Sequence, residues 1–181
     1  MTLLDAFMAE EKKEEMAYQT YREVLRRSAL RLSKALGVEV GDSAANEFAA
    51  SVPLWPAFSD TAAFLKDAGR SGYQRYILSN VDTDMLEGTI RNNGLEVDGY
   101  VTAEEVRSYK PRKAHWVRFF EKTKAGKEDV LHVAQSVFHD VVPVQEMGIA
   151  AAWVNRYGQP MPGNVHPEFV SDSLANLALL L

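Results

Sequence analysis

The feature that most constrains the fold is the alternation of short apolar segments with helical patterns over residues 59–181. Four of these segments have strand character, namely "YQRYIL", "GYVTA", "DVLHVA" and "IAAAWVN". Helical patterns separate them, and "SDSLANLALLL" adds a closing helix that opens with a capping residue. Strands separated by helical crossovers form a mainly parallel sheet that is covered on both faces. The sequence therefore predicts an α/β fold.

The first fifty residues contain no convincing strand. Apolar or small residues recur at helical spacing from Ala17 to Leu36, and Gly37 ends that helix. Asp42 or Ser43 can cap a second, shorter helix. We interpret the charged run at residues 10–15 as a solvated helical face. The two prolines of "SVPLWPAFSD" then mark a boundary, which predicts a helical domain over residues 1–50 and an α/β core over residues 51–181.

Composition excludes several functional classes. The net charge of −5 and the pI of about 5.4 argue against nucleic-acid binding. The absence of cysteine excludes disulfides, thiolate metal ligands and a cysteine nucleophile. No apolar run reaches membrane-spanning length, and the N-terminus lacks a signal-peptide layout. We therefore expect a soluble, cytoplasmic protein with no nucleic-acid or membrane partner.

Small polar and charged residues follow three of the predicted strands. The stretch "RYILSN" ends in Ser79 and Asn80, the second strand is followed by Lys110, and the third by Ser136 and Asp140. In an open parallel sheet, ligands bind at the carboxyl ends of the strands, so we expect these side chains to meet at one edge. Hydroxyl, amide and ammonium groups beside helix N-termini can hold an anion. The sequence therefore predicts a site for a small anionic ligand.

Each of these residues also has a purely structural interpretation. Ser79, Asn80 and Asp140 are good helix caps, and a lysine before a proline is often a surface residue of a loop. His132 lies within an apolar strand pattern, and without cysteine or an HxxxH spacing a zinc site is not expected. We predict no metal and no cofactor. Trp116 and the pair Phe119–Phe120 are interpreted as core residues.

The order of the segments is more specific than any single residue. An apolar strand followed by Ser-Asn, Tyr-Lys-Pro before a helix, "HVAQSVFHD" and "MGIAAAWVNR" occur in one order at suitable separations. This pattern resembles the haloacid dehalogenase (HAD) superfamily, most closely its 2-haloacid dehalogenase-like branch. Ser79 and Asn80 match the second motif of the family, Lys110 the third, and Asp140 the acid of the fourth. The resemblance implies a HAD-like Rossmannoid parallel sheet with helices on both faces, and a partial helical cap over residues 1–50.

The resemblance also implies a mechanism for the intact enzymes. A carboxylate attacks the substrate carbon, and water hydrolyses the resulting ester. Lys110 would keep the nucleophile ionised, because a nearby cation lowers the pKa of a carboxylate. Ser79 and Asn80, with Ser136 as a further binding residue, would hold the carboxylate or phosphate of a small anionic substrate, and Asp140 would position Lys110 and the hydrolytic water. Related proteins often form homodimers.

The family's nucleophile motif, Asp-x-x-Gly-Thr, does not occur in the sequence. Asp5 follows two leucines, but Ala6, Phe7 and Met8 come next, so we interpret it as part of the first helix. We therefore expect the first core strand and its nucleophile to be missing from this chain, which a truncation, a deleted segment or a true pseudoenzyme would each explain. For the fold we expect poor solubility, pairing with a partner or a gap in the sheet. For the activity we expect no turnover.

Two further departures leave the reaction open. Gln135 stands where metal-dependent phosphatases of the superfamily often have an acidic residue, and an amide is a weaker ligand for a hard cation. Val137 stands where dehalogenases commonly have asparagine. Three hypotheses remain: a hydrolase of the 2-haloacid dehalogenase type, a Mg²⁺-dependent phosphatase, and a non-catalytic pseudoenzyme that binds small anions.

Overall fold

The structure is a computed structural model that describes residues 2–180. The first three helices are α1 (Leu3–Glu14), α2 (Tyr21–Ala35) and α3 (Asp42–Ala50). Helix α2 follows the predicted helical spacing and ends before Gly37, whose φ of 67° favours glycine. Within residues 2–180, no helix combines the length and the apolar character needed to cross a membrane.

Five parallel strands follow: β1 (Tyr76–Ser79), β2 (Gly99–Thr102), β3 (Leu131–Ala134), β4 (Ala150–Val154) and β5 (Phe169–Ser171). The accompanying helices are α4 (Thr61–Arg70), α5 (Thr83–Asn92), α6 (Ala103–Val106), α7 (Ala114–Thr123), α8 (Val142–Met147) and α9 (Leu174–Leu177). A π-helical turn, Val137–Val141, lies between β3 and α8. The α/β fold and its four predicted strands are confirmed, whereas β5 was not predicted.

The strands of the described residues form two separate sheets. One pairs β1 with β2, and the other has the order β3-β4-β5. Strand β4 has neighbours on both sides, and its last four residues are buried, whereas every residue of β1 and β3 remains partly exposed. Buried parallel strands are normally covered on all sides. The gap between β1 and β3 is one of the consequences expected for a missing core strand.

A hydrophobic cluster joins the two sheets despite this gap. Its buried members are Trp116, Val141, Val144, Ile149, Ala151, Trp153 and Val165. Leu78 of β1 packs against the same cluster. Trp116 of α7 is only 1% exposed, and Phe119 is also buried, which confirms both as core residues. The two sheets therefore share one core.

The N-terminal helices are tied to the strand-bearing region by one carboxylate. Asp82 lies at the N-cap position of α5, but its side chain does not cap that helix. It is buried and accepts hydrogen bonds from the backbone N–H groups of Tyr21 (2.8 Å) and Arg22 (2.9 Å), at the start of α2. A carboxylate at this point satisfies N–H groups that have no partner within the helix and favourably meets the helix dipole.

The interpretation of residues 10–15 as a solvated face is wrong. Glu14 is buried and pairs with Arg31 of α2, where Arg31 Nε lies 2.7 Å from Glu14 Oε1. The Glu15 side chain, just after α1, is only 11% exposed. Because all of residues 10–15 are charged, the sequence does not reveal which face of this helix packs against the rest of the protein.

We predict that Asp82→Ala lowers the free energy of unfolding by about 2 kcal/mol, because two N–H groups at the start of α2 lose their acceptor. Urea denaturation measures the change. Asp67→Ala is the control, since Asp67 is exposed and pairs with exposed Arg70; its effect should stay within about 0.5 kcal/mol. Equal effects of the two substitutions would contradict the role assigned to Asp82.

Candidate functional site

The loops after β1, β2 and β3 meet around the side chain of Lys110. This lysine follows α6 and precedes Pro111, with which it forms a cis peptide bond, and it is only 9% exposed. Its Nζ donates to the backbone oxygen of Leu78 at 2.8 Å and to Asp140 Oδ1 at 2.7 Å. An ammonium has three N–H groups, so one remains for a further acceptor.

Asp140 is held between Lys110 and a histidine of β3. The π-helical turn places the Asp140 carboxylate in the core, and its Oδ1 lies 3.0 Å from His132 Nε2. Trp116 Nε1 donates to His132 Nδ1 at 3.4 Å, so Nε2 carries the hydrogen that is donated to Asp140. Burial alone would raise the pKa of Asp140, but the Lys110 ammonium and the bond from His132 outweigh it and lower this pKa to about 2.

The side-chain amide of Asn80 is hydrogen-bonded at both ends to the backbone of Lys110. Its Oδ1 accepts from the Lys110 N–H at 2.7 Å, and its Nδ2 donates to the Lys110 carbonyl at 3.2 Å. Both ends of the amide are therefore occupied by the residue that carries the central ammonium. This geometry makes Asn80 a residue that positions Lys110.

Ser79 lies at the tip of β1 with its hydroxyl free of hydrogen bonds to any other described residue. Its backbone oxygen receives a hydrogen bond from His115 Nε2 at 3.0 Å. His115 is fully buried, and burial together with the Lys110 charge lowers its pKa to about 4, so it is neutral at pH 7. The Ser79 hydroxyl is thus the polar group of the β1 tip that is available to a ligand.

Ser136 caps the turn that carries Asp140. Its Oγ accepts from the His139 backbone N–H at 3.2 Å and lies 3.0 Å from His139 Nδ1. Burial lowers the pKa of His139, which keeps this side chain neutral at pH 7. Ser136 therefore acts locally on the turn after β3, whereas Ser79 lies at the end of β1.

Two other strand-end residues, and Asp5 of α1, do not join this group. Arg156 lies beyond β4, but its guanidinium pairs with Asp60 before α4, at 2.8 and 3.0 Å. Asn155 bonds to the backbone of Gln159 within its own loop. Asp5 sits in the exposed first turn of α1, where it forms a capping box with Thr2. None of the three contacts the Lys110 side chain.

The loop between α1 and α2, residues 15–20, lies against the loops after β2 and β3. Tyr109 donates from its hydroxyl to the Gln19 carbonyl at 2.8 Å, and Arg112 donates to the Met16 carbonyl at 2.8 Å. Near the end of α1, Lys12 Nζ lies 4.0 Å from the centroid of the Phe138 ring. Sequence analysis missed this contact surface, because nothing in the pattern of residues 10–20 distinguishes its buried side.

His132 and His115 are also missed by sequence analysis. The sequence pattern places His132 in an apolar strand and His115 in a helix, and neither has a spacing that indicates metal or catalytic chemistry. In the structure each bonds to a site residue, His132 to Asp140 and His115 to Ser79. The one signal that could have suggested His132 is its place in a strand that ends at the ligand-binding edge of the sheet.

The donor set around Lys110 does not fit a divalent cation. Residues 2–180 contain no group of three or more His, Cys, Asp or Glu side chains placed to hold a metal ion. The Oδ1 of Asp140 already receives hydrogen bonds from an ammonium and an imidazole. A hard cation needs several free oxygen ligands, and Lys110 would repel it.

The parallel strands, with polar and charged side chains in the loops that follow them, place the chain in the class of α/β proteins whose ligands bind at the carboxyl ends of the strands. Comparison with known proteins gives the family. The chain is 31% identical over 126 residues to haloacid dehalogenase-like hydrolase domain-containing protein 3 of Danio rerio, which covers 68% of this chain and 52% of that protein. The chain thus spans about half the length of the curated relative it matches. No family model matches it.

Solved structures agree on the fold. A dehalogenase with an intermediate complex covers 99% of this chain with a TM-score of 0.90 at 18% identity, and 83% of its own chain is matched. The L-2-haloacid dehalogenase of Xanthobacter autotrophicus with chloropropionic acid covalently bound covers 98% of this chain with a TM-score of 0.88 at 21% identity, and 84% of its chain is matched. The chain belongs to the haloacid dehalogenase superfamily and has the fold of its haloacid dehalogenase-like branch.

We predict that the stabilising effect of Asp140 depends on pH in the acid range. A folded-state pKa of about 2, below the ordinary 3.8, gives stability that is present above pH 3.8 and is lost as the pH falls towards 2. Urea unfolding of the wild-type chain and of Asp140→Asn is compared at pH 6, 4, 3 and 2. The difference between them should shrink by about 2 kcal/mol between pH 4 and pH 2. A constant difference would show that the ionised carboxylate is not the stabilising form.

Proposed function

We propose that this chain supplies the substrate-anion site and the cap of a HAD-like hydrolase of the 2-haloacid dehalogenase type. The observation that carries the proposal is the buried Lys110 ammonium, which lies at the strand ends with one N–H left for a ligand. In this proposal residues 1–50 form part of the helical cap, and residues 51–181 form the core that binds a small anionic substrate.

Each residue of the site has its own role in binding the anion. Lys110 donates its third N–H to an anionic oxygen, and Ser79 donates its hydroxyl. Charge-assisted hydrogen bonds of this kind are stronger than neutral ones, above all where water is excluded. Asn80 and Asp140 act through Lys110, the first on its backbone and the second on its ammonium. Ser136 supports the turn that holds Asp140.

The same arrangement supports the chemistry that the family resemblance implies. A lysine held at 2.7 Å from a carboxylate keeps that carboxylate ionised, as the pKa of about 2 for Asp140 illustrates. Any attacking carboxylate placed next to the free N–H of Lys110 would be kept ionised in the same way. The covering loop at residues 15–20 would keep water away from the first step.

We predict that chloropropionate and inorganic phosphate bind to the chain at pH 7 and that Ser79→Ala weakens binding about tenfold, since one hydrogen bond to a charged ligand is lost. Calorimetric titration measures the affinity. Ser79→Ala leaves the Lys110–Asp140 pair intact, and Ser71→Ala, at the exposed end of α4, is the matched control. An unchanged affinity of Ser79→Ala would remove Ser79 from the site, and no binding of either anion would overturn the proposal.

We predict that residues 1–181 alone release no chloride from chloropropionate above the rate in buffer. The sequence contains no Asp-x-x-Gly-Thr motif, and Asp140 Oδ1 is occupied by Lys110 and His132. Chloride release is followed over hours with purified chain and with Lys110→Met as the control. A rate that is lost in Lys110→Met would show that the 181 residues carry their own nucleophile.

A further inference from the structure

One carboxylate of the N-terminal helices faces the candidate site. Glu15 follows α1 directly, and its side chain is only 11% exposed. Its Oε2 lies 3.8 Å from His139 Nε2, one residue from Asp140. The Lys110 ammonium is close enough to act on Glu15 electrostatically. An acidic side chain of this same chain therefore lies near the candidate anion site.

The position of Glu15 is fixed by contacts on either side of it. Before it, Lys12 lies over the Phe138 ring; after it, the Met16 and Gln19 carbonyls accept from Arg112 and from Tyr109. These contacts reach the loops after β2 and β3. Glu15 is thus held between them and does not swing freely into solvent.

The charged and titratable groups around Glu15 come from several elements. Glu11 of α1 faces it with a like charge and accepts a hydrogen bond from Tyr21 of α2 at 2.6 Å. Tyr109 and Lys110 face it from the loop after β2, and His139 faces it from the turn after β3. Burial raises the pKa of Glu11 and of both tyrosines, and lowers that of His139.

We propose that Glu15 couples anion binding to proton uptake: a small anion reaches the free N–H of Lys110 only when the Glu15 carboxyl is protonated. The ionised carboxylate is itself an anion within the electrostatic reach of Lys110, so it competes with the ligand for the same positive charge. The protonated carboxyl neither competes with the ligand nor repels it, and it can donate a hydrogen bond. This inference rests on the proposed anion site and adds a specificity residue to it.

The working range of this coupling is near neutral pH. Burial, followed by the like charge of Glu11, raises the pKa of Glu15 to about 8 against the opposing effect of Lys110. Below pH 7 the carboxyl is mostly protonated, so the affinity is at its maximum and does not depend on pH. Above pH 8 binding must first protonate Glu15, so the affinity falls and protons are taken up.

The test uses chloropropionate, whose charge is constant over the range, and the chain of residues 1–181. Calorimetric titrations at pH 6, 7, 8 and 9, each in two buffers of different ionisation enthalpy, give the affinity and the number of protons taken up. For the wild-type chain the affinity should fall about tenfold between pH 7 and pH 9, with an uptake that approaches one proton at pH 9. Glu15→Gln should show neither change and should bind about tenfold more tightly than the wild type at pH 9.

The control is Glu10→Gln, on the same helix, where Glu10 pairs with the exposed Lys13. It should keep the wild-type dependence on pH. A merely structural role of Glu15 would alter thermal stability without altering the slope of affinity against pH. Binding that is independent of pH in the wild-type chain would overturn the coupling while leaving the anion site in place. Absence of binding at pH 6, where Glu15 is protonated, would overturn both.

Discussion

The ion pair between Lys110 and Asp140 is the interaction on which the candidate site depends. Removing two charges from water costs several kcal/mol for each ion, and attraction between them offsets this only if their other hydrogen-bonding groups are satisfied. Here the Leu78 carbonyl accepts a second N–H of Lys110, and His132 donates to Asp140. The pair is therefore supported from both sheets, and it fixes one loop of each sheet relative to the other.

The split sheet explains why such a pair is needed. Strands β1 and β3 do not pair with each other in the described part of the chain, so no ladder of backbone hydrogen bonds sets their separation. That separation is set by side chains: the cluster around Trp116, in which Leu78 packs, and the chain of contacts from Leu78 through Lys110 and Asp140 to His132. The partial exposure of β1 and β3 is the cost of this arrangement.

Much of the fold can be predicted from the sequence, because the four predicted strands are apolar runs bounded by caps and glycines. Strand β5, Phe169–Ser171, was missed because three residues are too few to show a pattern. The meeting of Lys110 with Asp140 and with the end of β1 follows from their common position after parallel strands. The double hydrogen bond of Asn80 to the Lys110 backbone does not, because it depends on how two loops pack, and neither does the capping of α2 by Asp82.

Glu15 is the clearest case of a residue whose role the sequence cannot give. Within "AEEKKEE" every position is compatible with a solvated helix, and only the docking of residues 15–20 on the strand-end loops buries this carboxylate. The contacts that bury it come from the same loops that carry Lys110 and Asp140. Docking of the N-terminal helices and proton binding at Glu15 are therefore linked: whatever moves residues 15–20 into solvent removes the burial that raises the pKa of Glu15, and this favours the ionised carboxylate.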